Sequence, residues 1–131
     1  MSGNKGLLDS NIIIDASKGI ISIQEITEDY DFLYASLISY VETLGYNFVD
    51  NEEVKIVEQI LNSIEIVDLT KEIADIAIDY RKMKKIKLPD ALVLATSKYL
   101  KADLITSDIM DFQNVDNSVK IVQPRKLKGL L

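Results

Sequence analysis

Residues 6–15 read GLLDSNIIID. Gly6-Leu7-Leu8 is a short apolar run of strand character, and the helix that follows through Ile12, Ile13 and Ile14 is expected to end near Lys18-Gly19. An acid, Asp9, stands at the junction. A strand that gives way to a helix within a few residues opens an α/β unit. The same alternation continues outward. Phe32-Leu33-Tyr34-Ala35 is a second strand, and Ser36 stands where a helix N-cap belongs. Leu37, Tyr40, Val41 and Leu44 then fall at i, i+3, i+4 and i+7, with Gly45 as the C-terminal stop. A helix near Glu52 to Leu61 and a strand at Ile64 to Val67 come next. Thr70 caps a helix carrying Ile73, Ile76, Ala77, Tyr80 and Met83 on one stripe. Pro89 takes the first position of the following helix, where its missing N–H costs nothing. Leu104-Ile105-Thr106 and Val119 to Val122 are the last strands. The pattern predicts an α/β layer fold around a mostly parallel sheet.

The totals narrow the function. A chain of 131 residues suits one domain with a proper core. Its apolar runs are too short to span a bilayer. MSGNKG at the start lacks the apolar stretch of a secretory signal. Cysteine and histidine are both absent. That excludes disulfides, thiolate or imidazole zinc sites, and catalytic triads built on histidine, and it fits a reducing cytoplasm. Chemistry must then come from carboxylates, lysines or hydroxyls, and carboxylates favour hard cations such as Mg²⁺ or Mn²⁺. The net charge is −6, from 15 basic and 21 acidic residues, which argues against sequence-blind nucleic-acid binding over the whole surface.

Five acids account for most of that imbalance. Asp9 and Asp108 follow strands, at the carboxyl ends where open α/β sheets bind ligands. Asp90 opens a helix in the stretch LPDALVLA (88–95), beside the apolar run Ala91 to Ala95. Glu42 lies on the helix capped by Ser36, and Asp111 lies three residues past Asp108. Each has a plain structural alternative. Asp9 or Ser10 caps the first helix, Asp108 caps a turn, Glu42 is a solvated side chain, and Asp90 is an ordinary first-turn acid. If the acids do meet, two carboxylates about 4 Å apart repel by roughly 4 kcal/mol at an effective dielectric of about 20. A cluster of them then protonates or takes a divalent cation.

Three stretches together, LLDSNIIID (7–15), YASLISYVETLGY (34–46) and LPDALVLATSKYLKADLITSDIMDF (88–112), resemble the PIN-domain family. Within it they look most like the small VapC-type toxins of toxin–antitoxin pairs. The resemblance implies a single PIN domain over 1–131, a three-layer α/β/α sandwich. It also implies a Mg²⁺- or Mn²⁺-dependent ribonuclease that forms a homodimer, silenced by a cognate antitoxin crossing its groove. The family's acidic quartet falls on Asp9, Glu42, Asp90 and Asp108, as both metal ligands and catalytic residues. Ser10 and Asn11 match the polar pair after the first acid, Thr106 the orienting hydroxyl, and Asp111 an auxiliary acid.

A cation held by Asp9 and Asp90 would activate a water that Glu42 or Asp108 orients or deprotonates, leaving 5′-phosphate and 3′-OH ends. RKMKKIK (81–87) supplies Arg81, Lys82, Lys84, Lys85 and Lys87 as an RNA-gripping rim, or as a solvated helix end. PRKLKGLL (124–131) is a second basic stretch. ITEDYD (26–31) is more acidic than a flank of an RNA groove should be, which leaves the substrate path open. Two other classes stand beside the enzyme: a non-catalytic metal-binding interaction module, and a phospho-receiver. The receiver wants paired acids after the first strand and a Lys ending the last, where this chain has Asp9-Ser10 and Val122-Gln123-Pro124.

Overall fold

A computed structural model describes residues 3–127. The final four residues of the basic tail and the first two of the chain lie outside that range. In chain order the elements are β1 (Lys5–Leu8), α1 (Ser10–Ser17), α2 (Ile23–Thr27), β2 (Phe32–Ser36), α3 (Leu37–Leu44) and α4 (Asn51–Ser63). They continue with β3 (Glu65–Val67), α5 (Lys71–Met83), α6 (Leu88–Leu100), β4 (Asp103–Ile105), α7 (Ile109–Phe112) and β5 (Ile121–Val122). The five strands form one sheet in the order β3-β2-β1-β4-β5, and every pairing is parallel.

Side chains on a strand alternate between faces, and the two cores record it. Leu7 and Leu104 pack with Ile73, Tyr80, Val93 and Leu94 in the layer of α5 and α6. Leu8 and Ile105, one residue on, pack with Ile12, Ile13, Val57 and Ile60 in the layer of α1 and α4. This is the expected α/β/α sandwich, with the sheet wholly rather than mostly parallel. Gly6 lets β1 sit at its centre, since a Cβ there would lie 2.8 Å from Ile105 Cδ1 and 3.1 Å from Leu33 Cδ2.

The caps follow the sequence. Ser36 Oγ accepts from Ser39 N, Thr70 Oγ1 from Ile73 N, and Asp50 from Glu52 N. Helix α6 begins at Leu88, so Pro89 is its second residue rather than its first. The last strand is shorter than expected, with Val119 buried ahead of it. Helix α2 was not anticipated; Ser22 caps it through Glu25 N.

Helix α3 turns the opposite way from its apolar stripe. Ser36, Ser39 and Thr43 are fully buried, while Tyr40, Val41 and Leu44 are exposed, Val41 at 61%. The small hydroxyls satisfy themselves locally: Thr43 Oγ1 donates to Ser39 O at 2.8 Å, and Ser39 N donates to Ser36 Oγ at 3.2 Å. Small residues let α3 pack closely against α1 and α6. Met83, placed on the α5 stripe by its spacing, is likewise exposed, because the helix has left the core by its last turn. Among the described residues no helix is long and apolar enough to cross a membrane.

Candidate functional site

The strand order reverses between β1 and β4: the chain fills one side of β1 with β2 and β3, then crosses to β4 and β5. Ligands of open parallel sheets bind at the carboxyl edge of such a switch point. Asp9 follows β1 directly and Asp108 comes three residues after the end of β4, so the topology itself places both acids there.

Asp9 is the buried acid of the site, 6% exposed. It takes the N-cap position of α1, as its plain alternative required, but its carboxylate does more than cap. Oδ1 accepts from Ser10 N at 2.8 Å, and Oδ2 accepts from Thr106 Oγ1 at 2.9 Å and Asn11 Nδ2 at 3.3 Å. Thr106 Oγ1 also accepts from Asp108 N at 3.0 Å. Asn11 ties the two ends together: its Nδ2 lies 3.1 Å from Asp108 Oδ2, and its Oδ1 accepts from Ser107 N at 3.1 Å. Asp108 stands at the N-cap of α7 but makes no side-chain cap, so its carboxylate faces the site.

Burial pushes the Asp9 carboxyl up from 3.8 to about 6. Thr106 and the Ser10 N–H pull it down, and the charges of Asp90 and Glu42 push it up again. Asp90, half-buried at the start of α6, is raised by burial and then by Asp111, with Glu42 and Asp108 acting the same way. Lys87 opposes them. Elements far apart in sequence therefore bring Asp90 and Glu42 near Asp9, and Glu42, Asp108 and Asp111 near Asp90. Glu42 stays exposed on α3, and its charge is felt at both Asp9 and Asp90.

Among the described residues, no three carboxylates close tightly enough to cage an ion. Mg²⁺ needs no such cage, since it keeps several of its waters and is bound through one or two carboxylates. The donor set, all oxygen and with acids repelling one another, fits a hard divalent cation in kind.

The basic run divides in two. Lys85 and Lys87 line a cleft of about 440 Å³ with Ile86, Asp90, Met110 and Asp111. Arg81, Lys82 and Lys84 are exposed at the end of α5, away from that lining. None of the five forms an ion pair among the described residues. A larger cavity, about 580 Å³, lies between α2 and the end of β5 and contains none of the five acids. Asp15 escaped the sequence reading, although it lies one turn beyond Asn11 on α1. Burial raises its carboxyl, Lys126 lowers it, and Asp108 raises it.

This combination of an all-parallel 3-2-1-4-5 sheet with acids gathered at its switch point defines a class. Residues 6–118 match the PIN-domain family model, and the chain belongs to that family. Solved structures agree. A toxin–antitoxin complex from Klebsiella pneumoniae has a chain 28% identical, with a TM-score of 0.73, covering 88% of this chain and 99% of that one. VapBC2 from Rickettsia felis, bound to a promoter DNA fragment, is 18% identical over 91% of this chain and 98% of its own, with a TM-score of 0.76. VapBC from Salmonella typhimurium, also DNA-bound, is 15% identical over 92% and 98%, at 0.76. No curated protein matches.

Proposed function

We propose that residues 1–131 form a single PIN domain that hydrolyses RNA with Mg²⁺ or Mn²⁺ as the toxin of a cytoplasmic toxin–antitoxin pair. The observation that supports this reading best is the placement of Asp9 and Asp108 at the carboxyl ends of β1 and β4, joined through Asn11 and Thr106, with Asp90 and Glu42 near enough to raise the Asp9 carboxyl. Asp9 and Asp90 are the residues that would hold the cation. A bound divalent ion supplies a water of lowered pKa and positive charge for the scissile phosphate. Thr106, Asn11 and the Ser10 N–H fix the Asp9 carboxylate, so it stays oriented as charge develops. Asp108 Oδ2 is tied to Asn11, whereas Glu42 makes no hydrogen bond among the described residues and is free to take the proton of the attacking water. Asp111 lines the same cleft as Asp90, where it would act on the cation through a water.

The direct test is cleavage of single-stranded RNA. Activity is expected to need Mg²⁺ or Mn²⁺, to leave 5′-phosphate and 3′-OH ends, and to vanish in Asp90→Asn. Products ending in 2′,3′-cyclic phosphate would exclude attack by water. Metal binding without cleavage of any RNA would select the interaction-module reading.

Lys85 and Lys87 grip a phosphate beside Asp90, with Arg81, Lys82 and Lys84 adding field from α5. Reversing both Lys84 and Lys85 to Glu is expected to weaken RNA binding at least tenfold at low salt, or about 1.4 kcal/mol, and to flatten its salt dependence. Unchanged binding in a filter assay would leave the run as a solvated helix end.

Two protein partners complete the proposal. The antitoxin follows from the likeness to toxin–antitoxin complexes. A second copy of the chain covers Tyr40, Val41 and Leu44, the apolar face that α3 leaves in water. Val41→Asp is expected to convert the dimer to a monomer in sedimentation velocity. A dimer that persists unchanged would place the interface elsewhere.

A further inference from the structure

The tail beyond β5 is built into the edge of the site. All strands run parallel, so Gln123 onward leaves the sheet at the same edge as Asp9 and Asp108. The tail is held at two points. Arg125 donates from Nε and Nη2 to the two carboxylate oxygens of Glu25, at 2.9 and 2.6 Å, and Leu127 N donates to Ile20 O at 2.8 Å. Such a fork-to-fork pair fixes direction as well as position. Lys126 lies between these two anchors. It is exposed and makes no ion pair among the described residues.

Its surroundings connect it to the acids. Asp15, one turn beyond Asn11 on α1, feels both Lys126 and Asp108. The tail's Lys126 and the site's Asp108 are thus both close enough to act on the Asp15 carboxylate. Lys126 stands with α1 and α2, whereas Lys85 and Lys87 stand with α5 and α6. These helices cover opposite faces of the sheet. The carboxylates lie along the edge between the two layers, and a polyanion approaching them meets repulsion unless cations flank it on both sides.

We propose that Lys126 is a phosphate contact of the RNA path: one strand crosses the carboxyl edge of the sheet from Lys85 and Lys87 on one layer, over the acids, to Lys126 on the other. Arg125 serves as the anchor that presents Lys126 and does not itself touch RNA. Glu25, just ahead of the acidic stretch 26–31, then has a purpose, since it holds the tail in place. This inference rests on the ribonuclease reading and specifies the direction in which substrate lies across that site.

The test uses the full chain and a mixed-sequence single-stranded RNA, with Ca²⁺ replacing Mg²⁺ so that binding is read apart from cleavage. Affinity is measured against salt for the wild type, Lys126→Glu, Lys126→Arg and the double swap Glu25→Arg with Arg125→Glu. Lys126→Glu is expected to bind about tenfold more weakly at low salt and to lower the slope of log K against log salt by about 0.7 or more, the share of one single-strand phosphate contact. Lys126→Arg keeps both. The double swap keeps affinity because the anchor survives with its charges exchanged. A Lys126→Glu variant with wild-type affinity and slope, tested beside a Lys84→Glu/Lys85→Glu variant that is weakened, overturns the tail contact while sparing the ribonuclease reading. A wild type that neither binds nor cleaves RNA overturns both.

Discussion

Asp9→Asn is expected to abolish RNA cleavage and, at neutral pH, to make the protein more stable. The two effects share one cause. A carboxylate that is 6% exposed, facing Asp90 and Glu42, is held where its ionised form is disfavoured. Its folded pKa, about 6, lies above the ordinary 3.8. Below pH 3.8 both folded and unfolded chains carry the proton, and ionisation costs the fold nothing. As pH rises from 3.8 the unfolded state ionises first, and stability falls until about pH 6. Above that the penalty is constant, at about 3 kcal/mol for a shift of this size.

Asparagine removes the charge but loses the strong acceptor for Asn11 and one of its contacts with Ser10 or Thr106. The expected net gain is about 1–3 kcal/mol near pH 7.5, shrinking to nothing or reversing near pH 4. Urea denaturation of both proteins at the two pH values reads it directly. A loss of stability at pH 7.5 would mean that the hydrogen-bond network around Asp9 outweighs its burial. Loss of cleavage beside a gain in stability is the signature of a residue kept for chemistry at the expense of the fold.

The second large effect is the response to metal. A ligand that binds the folded chain alone stabilises it by about 2.7 kcal/mol at a hundred times its dissociation constant. For a chain of this length that is a rise in Tm of the order of 10 °C. Saturating Mn²⁺ is expected to produce such a rise at pH 7.5. At pH 5 the rise should be much smaller, because the proton on Asp9 must leave before the carboxylate can act as a ligand. The raised pKa of Asp90 acts in the same direction. Asp90→Asn is expected to lose most of the response at either pH, and chelation to stop cleavage by the wild type. An equal shift in wild type and Asp90→Asn would place the ion away from these residues.

The fold was legible in the sequence because its signals were local. Strand-to-helix junctions at Leu8-Asp9 and Ala35-Ser36, the caps at Ser36 and Thr70, and Pro89 near a helix start each act within a few residues. Leu7-Leu8 and Leu104-Ile105 read as strands, but two apolar residues in a row do not say which faces which layer. Helix α3 was misread for a physical reason. Its apolar residues do repeat at helical spacing, but Ser36, Ser39 and Thr43 share an equally regular stripe, and their hydroxyls find partners within the helix itself. Nothing local says which stripe goes inward; close packing against α1 and α6 decides it.

The acids were found as residues, yet their order of importance changed. LPDALVLA drew attention to Asp90, whereas the structure buries Asp9 and leaves Asp90 half-exposed. Burial of Asp9 comes from β4 and Thr106, nearly a hundred positions away, and no window around Asp9 contains that information. Asp15 was missed because it stands among isoleucines on a helix face whose neighbours are set by the C-terminal tail.

A crystal of the wild-type protein soaked in Mn²⁺, with data collected for anomalous scattering, tests the central claim most directly. The account predicts a strong peak at the carboxyl edge of β1 and β4, beside Asp9 and Asp90. No peak there, or a peak elsewhere on the molecule with those two side chains turned apart, would contradict it.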